Sequence, residues 1–157
     1  MQKITPNLWF DTEAEEAANF YTSIFKNSDV LSVMHYGEAG PRPVGMVMTV
    51  TFELEGQQFT GINGGPEFKF NEAMSLLVNC EGQEEVDELW ERLSEGGEEG
   101  PCGWLKDKFD LSWQIVPTIL DEMLQDEDAD KANRVMKAML QMGKIDIAAL
   151  EEAYGPR

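Results

Sequence analysis

Histidine, cysteine and positive charge are scarce in this chain, and each scarcity removes a class of chemistry. His35 is the only histidine among 157 residues, so a two-histidine metal site or a histidine acid–base pair cannot be assembled within one copy. It falls in an alternating pattern between Met34 and Tyr36, where a solvent-facing or hydrogen-bonded imidazole is the ordinary role of a strand histidine. Cys80 and Cys102 are the two cysteines. They are far apart in sequence and lack CxxC spacing, which argues against a disulfide framework or zinc knuckle and for reduced, partly buried thiols. There is no Gly-x-Ser-x-Gly elbow and no histidine placed to activate either thiol, so nucleophilic catalysis is disfavoured.

Long apolar runs are missing too. Nothing approaches the ~20 consecutive apolar residues of a membrane span, and Met1–Pro6 has neither the basic start nor the apolar stretch of a signal peptide. A cytoplasmic location with no membrane partner is the expectation. Basic residues number 12 against 30 acidic ones, a formal net charge of −18. Such a surface repels phosphate backbones, so no nucleic-acid partner is expected, and the acidic excess is read as solvating. Glycines in Gly61-Ile62-Asn63-Gly64-Gly65 are followed by no Gly-Lys-Ser/Thr and open no Gly-x-Gly-x-x-Gly helix, so they mark a strand end and turn rather than a nucleotide loop. The acidic run Asp126–Asp130 resembles the start of a calcium loop. Lys131 and Lys137 stand where that loop needs glycine and glutamate, which leaves helix-start acids as the reading.

What is present is a repeat. Ile4–Phe10 alternates with period two and runs into a helix-patterned segment ending at Phe25, with Ala14, Ala17, Ala18, Tyr21, Ile24 and Phe25 on one stripe. Thr12 and Glu15 have the spacing of a capping box at its start. Strands are expected at Val30–Tyr36, Met46–Leu54 and Gln57–Ile62, the last two joined by a hairpin at Glu55-Gly56. The segment 37–43 between the first two is expected to be a mobile loop able to cover a site, or else an ordinary surface connection. After Gly64-Gly65-Pro66 the pattern restarts. Ala73–Asn79 leads into a helix with Val86, Leu89, Trp90 and Leu93 on its stripe, followed by short strands near Glu98–Cys102, Trp104–Phe109 and Leu111–Val116. Pro117 closes the last. Helices alone follow: Ile119–Gln125, Asp126–Met142 capped by Gly143, and one from Asp146 to before Gly155.

The expected fold class is therefore α+β: two βαβββ modules with mixed sheets around a cavity, plus a C-terminal helical extension. One domain over 1–157 is expected, with module one at 1–66, module two at 67–117 and the tail at 118–157. Once the apolar alternation is assigned to helix packing, the leftover strand face carries Thr5, Asn7 and Trp9 on the first strand. It carries Asn63 at the end of the fourth, Ser75 on the fifth, and Ser112 and Gln114 on the eighth, where Trp113 and Ile115 take the core side. Neutral polar groups of this kind orient a ligand by hydrogen bonds while Trp9 or Trp104 supplies apolar contact. They do not by themselves act as acid or base near neutral pH. The alternative is that several of them fill a barrel core.

The duplicated pattern, with Asp11 before a helix ending Phe20-Tyr21-Thr22-Ser23-Ile24-Phe25, resembles the vicinal oxygen chelate superfamily, which includes glyoxalase I and bleomycin-resistance proteins. Ile4–Asp11, Cys102–Phe109 with Ser112–Pro117, and Asn133–Leu140 are similar to the PhnB-like branch, often labelled 3-demethylubiquinone-9 3-methyltransferase. The resemblance implies a homodimer of paired modules and, in metal-using relatives, ligands from the first, fourth, fifth and eighth strands. At those strands this chain has Thr5 and Asn7, about Asn63, about Ser75, and Gln114, weak neutral donors, so neither a metal nor another cofactor is expected. The functional expectation is a small-molecule ligand held by Thr5, Asn7, Asn63, Ser75 and Gln114 against Trp9 and Trp104. The alternative is an enzyme, either a metal-dependent lyase, isomerase or dioxygenase, or a methyltransferase with catalytic residues unassigned.

Overall fold

The computed structural model describes residues 2–156, and these divide into two compact units, 1–70 and 71–157. In the first, β1 (Asn7–Phe10) leads to α1 (Ala14–Ile24), then β2 (Ser28–His35), β3 (Val47–Leu54) and β4 (Gln57–Asn63). The sheet order is β1-β4-β3-β2, with β1 parallel to β4 and the other pairs antiparallel. The stripe expected of α1 is the face it buries: Ala14, Ala17, Ala18, Tyr21 and Ile24. Three alanines let the helix lie close to the strands, and Gly61 of β4 completes the fit, because a Cβ there would come within 3.2 Å of the Ala14 Cβ. Phe52 stacks on Phe59 at 5.5 Å and meets Tyr21 at 6.0 Å. Each fully buried side chain of this size contributes about 1.5–3 kcal/mol.

The expected capping box does not form. Glu13 is the N-cap and no local side chain caps the helix; the Ala14 N–H instead donates to Asn63 Oδ1, 49 residues away, at 2.8 Å. A side chain from the adjoining strand does locally what Thr12 was expected to do. The β3–β4 hairpin turns at Glu55 and Gly56 with φ of 48° and 86°, the left-handed pair that matches the twist of the flanking strands. The connection between β2 and β3 is tied down. Tyr36 and Gly45 close it with Tyr36 N–H to Met46 O and Gly45 N–H to Tyr36 O at 2.8 and 2.9 Å. Arg42 donates to the Asp11 carbonyl and pairs with its carboxylate at 3.1 Å.

The second unit repeats the topology. β5 (Ser75–Cys80), α2 (Gln83–Ser94), β6 (Glu98–Glu99), β7 (Trp104–Lys106) and β8 (Ser112–Pro117) form a sheet of order β5-β8-β7-β6, again with the first and last strands parallel. α2 buries Val86, Leu89, Trp90 and Leu93 on the side where Leu105, Trp113 and Ile115 lie. β6 and β7 are shorter than the sequence pattern suggested. Pro101 has no N–H to extend a ladder, and Cys102 and Gly103 have φ of 57° and 84°, which turns the chain out of the sheet. β7 stops at Asp107, a carboxylate only 1% exposed that accepts from the Phe109 and Leu111 N–H groups and the Trp113 indole.

Three helices follow: α3 (Thr118–Leu124), α4 (Ala129–Met139) and α5 (Ile147–Tyr154). Asp128 caps α4 by accepting from the Asp130 and Lys131 N–H groups, as expected of helix-start acids. α4 ends before Met142, so Gly143 is not its cap. The chain instead leaves the helix after Leu140 and aims the Met142 and Gly143 carbonyls at the N–H groups of Cys102 and Gly103, both at 2.8 Å. Gln83 fastens the same stretch, its side chain donating to Ile145 O at 3.0 Å and accepting from Ile147 N–H at 2.7 Å. The helices share a core of Val116, Leu120, Met123, Val135, Ile145, Leu150 and Tyr154. Among the described residues no helix is long and apolar enough to cross a membrane.

Candidate functional site

Each sheet has one face against its helix and one open face, and the seven candidate residues distribute unequally between them. In the first unit Leu8 and Phe10 point to the helix, so Asn7 and Trp9 take the open side beside their register partners Thr60 and Ile62. Thr51 lies across from Thr60 with the hydroxyls 3.5 Å apart. Asn7 is exposed, and its amide donates to the Thr5 carbonyl at 2.9 Å. Thr5 precedes the strand. Trp9 donates its indole N–H to Gly65 O at 2.9 Å and packs edge-on with Phe68 at 4.9 Å. Its ring fills the space a Cβ on Gly64 would occupy, at 2.3 Å. That indole is thus committed to the turn after β4.

Asn63 is placed differently from the expectation. It pairs in register with Phe10 on the helix side, is 2% exposed, and spends both ends of its amide on backbone. Oδ1 accepts from the Ala14 N–H and Nδ2 donates to Val47 O at 3.0 Å. Its own carbonyl accepts from the Tyr36 hydroxyl at 2.7 Å. Alternation counted from the strand end put it on the open face, but the strand runs through Asn63, and the residue holds a helix start to a sheet.

In the second unit the three expected residues come together. Gln114 and Trp104 are register partners, and Gln114 Nε2 donates to Ser75 Oγ at 2.9 Å. On the same face, Lys106 and Ser75 are both register partners of Ser112. A pocket of about 530 Å³ opens here, lined by Trp104, Lys106, Ser112 and Glu98 with Glu72 and the 99–102 rim. The pocket is what sequence reasoning missed, although alternation placed Ser112 on the right face. Ser112 is 1% exposed, and its hydroxyl is the buried side-chain polar atom without a hydrogen-bond partner among the described residues. An orphaned buried hydroxyl costs ~1–3 kcal/mol. Lys106 pairs with Glu72. That hydrogen bond holds the Glu72 carboxyl below its ordinary range and raises the Lys106 ammonium, so both stay charged at neutral pH.

The rim contains Cys102, half-buried, whereas Cys80 is fully buried. Burial, with Glu85 adding to it, pushes the Cys80 thiol up to about 12, leaving it inert as a nucleophile. Among the described residues no group of three or more histidine, cysteine, aspartate or glutamate side chains is arranged to hold a metal ion. Asn63 has no free amide to offer one, and Ser75 and Gln114 bond to each other.

A profile of the family described as 3-demethylubiquinone-9 3-methyltransferase matches residues 2–116. A Bacillus cereus PhnB protein, whose structure carries that same description, is 41% identical. The match covers 74% of this chain and all of that one, with a TM-score of 0.67. Protein PA1353 from Pseudomonas aeruginosa is 18% identical over 74% of this chain and 98% of its own, TM-score 0.62. The fosfomycin resistance protein FosX from Listeria monocytogenes, solved with Mn(II) and sulfate, is 17% identical over 80% of this chain and 98% of its own, TM-score 0.56. These last two share the fold. No match was found among curated proteins. The matched residues of the family profile end before α3, so the resemblance seen at Asn133–Leu140 lies outside them.

Proposed function

The chain belongs to the 3-demethylubiquinone-9 3-methyltransferase family, the PhnB-like branch of the glyoxalase and bleomycin-resistance superfamily, and from that premise we propose that it binds a small molecule on the open face of the second sheet without a catalytic metal. One observation carries the reading: a pocket of about 530 Å³ walled by Trp104 and containing a buried hydroxyl, Ser112, with no hydrogen-bond partner among the described residues. Pockets of this volume suit small organic ligands, and a ligand atom bonded to Ser112 would relieve its desolvation cost. Trp104 lines it, and Ser75 and Gln114 are the register partners of its lining residues Ser112 and Trp104. Asn7, Thr5 and Trp9 present a similar neutral face on the first unit's own sheet; Asn63 does not.

Metal chemistry of the kind implied by FosX's bound Mn(II) does not fit Asn63, Ser75 and Gln114, neutral amides and a hydroxyl already bonded to one another or to backbone, and among the described residues no group of three or more histidine, cysteine or carboxylate side chains is arranged to hold a metal ion. The methyltransferase name implies S-adenosylmethionine, yet the strand-to-helix turns that would cradle it read Asp11-Thr12-Glu13 and Glu81-Gly82. Neither has the glycine-rich form of such a turn. A homodimer, supported by exposed Met34, Leu77 and Leu140, completes the proposal, with a cytoplasmic location as its setting.

Ligand-observed NMR with a fragment set on the full chain and on Trp104→Ala tests it. Binding by the wild type that weakens at least about fivefold in the variant supports the reading, as loss of a main apolar contact should. A chain that binds nothing, or a variant that binds equally, overturns it. Saturable S-adenosylmethionine binding by calorimetry would favour the family's named activity instead.

A further inference from the structure

Within that pocket the charged groups are unbalanced. Glu72, Glu98 and Glu99 line it together with one cation, Lys106, and Lys106 is already paired with Glu72. Glu99 accepts from the Trp90 indole at 2.6 Å, which fixes its carboxylate at the edge strand. Glu98, the register partner of Lys106, has its charge on the pocket side of that strand. The apolar wall is Trp104 with Pro101, Cys102 and Leu105, and an indole face attracts cations more strongly than the other aromatic rings do. Ser112 adds an unpartnered, buried oxygen able to accept a hydrogen bond.

We infer that the ligand is a monocationic amine with an apolar body: its ammonium meets Glu98 and the Ser112 hydroxyl, and its body lies on Trp104. An anion would face three lining carboxylates against the single ammonium of Lys106. A purely apolar ligand would leave Ser112 orphaned. The excess of 30 acidic over 12 basic residues further raises the local concentration of cations around the chain. This inference rests on the pocket reading above and adds the chemical class.

The test uses three probes of one shape, phenethylamine, 2-phenylethanol and phenylacetate, titrated by NMR against the full chain, Glu98→Gln and Ser112→Ala. Phenethylamine is expected to bind about fivefold tighter than the alcohol, with phenylacetate weakest, as an added ion pair and cation–π contact predict. Raising the salt should narrow the difference. Glu98→Gln should remove most of the preference, whereas Glu127→Gln, outside the pocket, should leave it intact. Ser112→Ala should weaken the amine without lowering thermal stability, because it deletes a hydroxyl that has no hydrogen-bond partner among the described residues. Equal binding of all three probes, or a preference untouched by Glu98→Gln, overturns the amine class and leaves the pocket standing. If none of the three binds, the pocket reading fails and the class with it.

Discussion

Replacing Asn63 by alanine removes two hydrogen bonds of the first unit at a residue that is not among those lining the second-unit pocket. The substitution removes the acceptor 2.8 Å from the Ala14 N–H and the donor 3.0 Å from Val47 O, in a residue 2% exposed. Loss of the helix cap costs ~1 kcal/mol. The stranded Val47 carbonyl and the small void left by the amide add ~1–3 kcal/mol more, for a total of about 2–4 kcal/mol. A chain of this size loses ~2–4 °C of Tm per kcal/mol, so circular-dichroism melting should show a fall of about 10 °C. Amine binding in the second-unit pocket should be unchanged where the protein remains folded. Asn63→Asp supplies a control: the new carboxylate keeps an acceptor for Ala14 N–H at a helix start but sets it against the Val47 carbonyl. A Tm loss below about 2 °C for Asn63→Ala, or weakened ligand binding in a fully folded variant, would refute the assignment of this residue to the fold.

Two further perturbations address the second unit. Gln83→Ala removes both side-chain bonds to the 145–147 stretch, so the rim should loosen. Hydrogen exchange at the Cys102 and Gly103 amides should accelerate about tenfold or more, since each donates to the stretch that Gln83 fastens; unchanged exchange would show that the tail does not hold the rim. For the thiols, a reagent such as 5,5′-dithiobis-(2-nitrobenzoate) at pH 8 should modify Cys102 while Cys80 stays protected, so Cys102→Ser should abolish fast labelling. Because burial raises the Cys80 pKa from 9.0 to about 12, folding favours its protonated form. Its contribution is intact below pH 9 and declines towards pH 12, and urea midpoints should fall more steeply over that window in the wild type than in Cys80→Ala.

Local periodicity made both helix stripes, the Glu55-Gly56 hairpin and the order of elements legible, because apolar spacing and turn chemistry act within a few residues. The same argument, applied to β8, put Trp113 and Ile115 inside and Ser112 and Gln114 outside, and the topology of the repeat brings Ser75 beside Gln114. Two errors share a cause. Thr12 had the spacing of a cap, but its helix is capped from β4, and Asn63 was read as cavity-facing when its amide is the cap. A long-range bond of this kind has no signature in sequence spacing. β6 and β7 were overextended because Cys102 adopts a left-handed conformation that a non-glycine residue rarely announces.

That conformation connects the family portion of the chain to the part beyond it. The Cys102 and Gly103 N–H groups point away from the sheet and are satisfied by Met142 and Gly143, residues past the end of the family match at 116. Without the tail, two backbone donors beside the pocket would turn to water or to another conformation, and the strained φ at Cys102 would lose the contacts that offset it. The βαβββ repeat supplies the open strand face. The tail supplies the carbonyls that hold the rim over it, so the pocket's shape is set jointly by the shared scaffold and by helices outside the matched region.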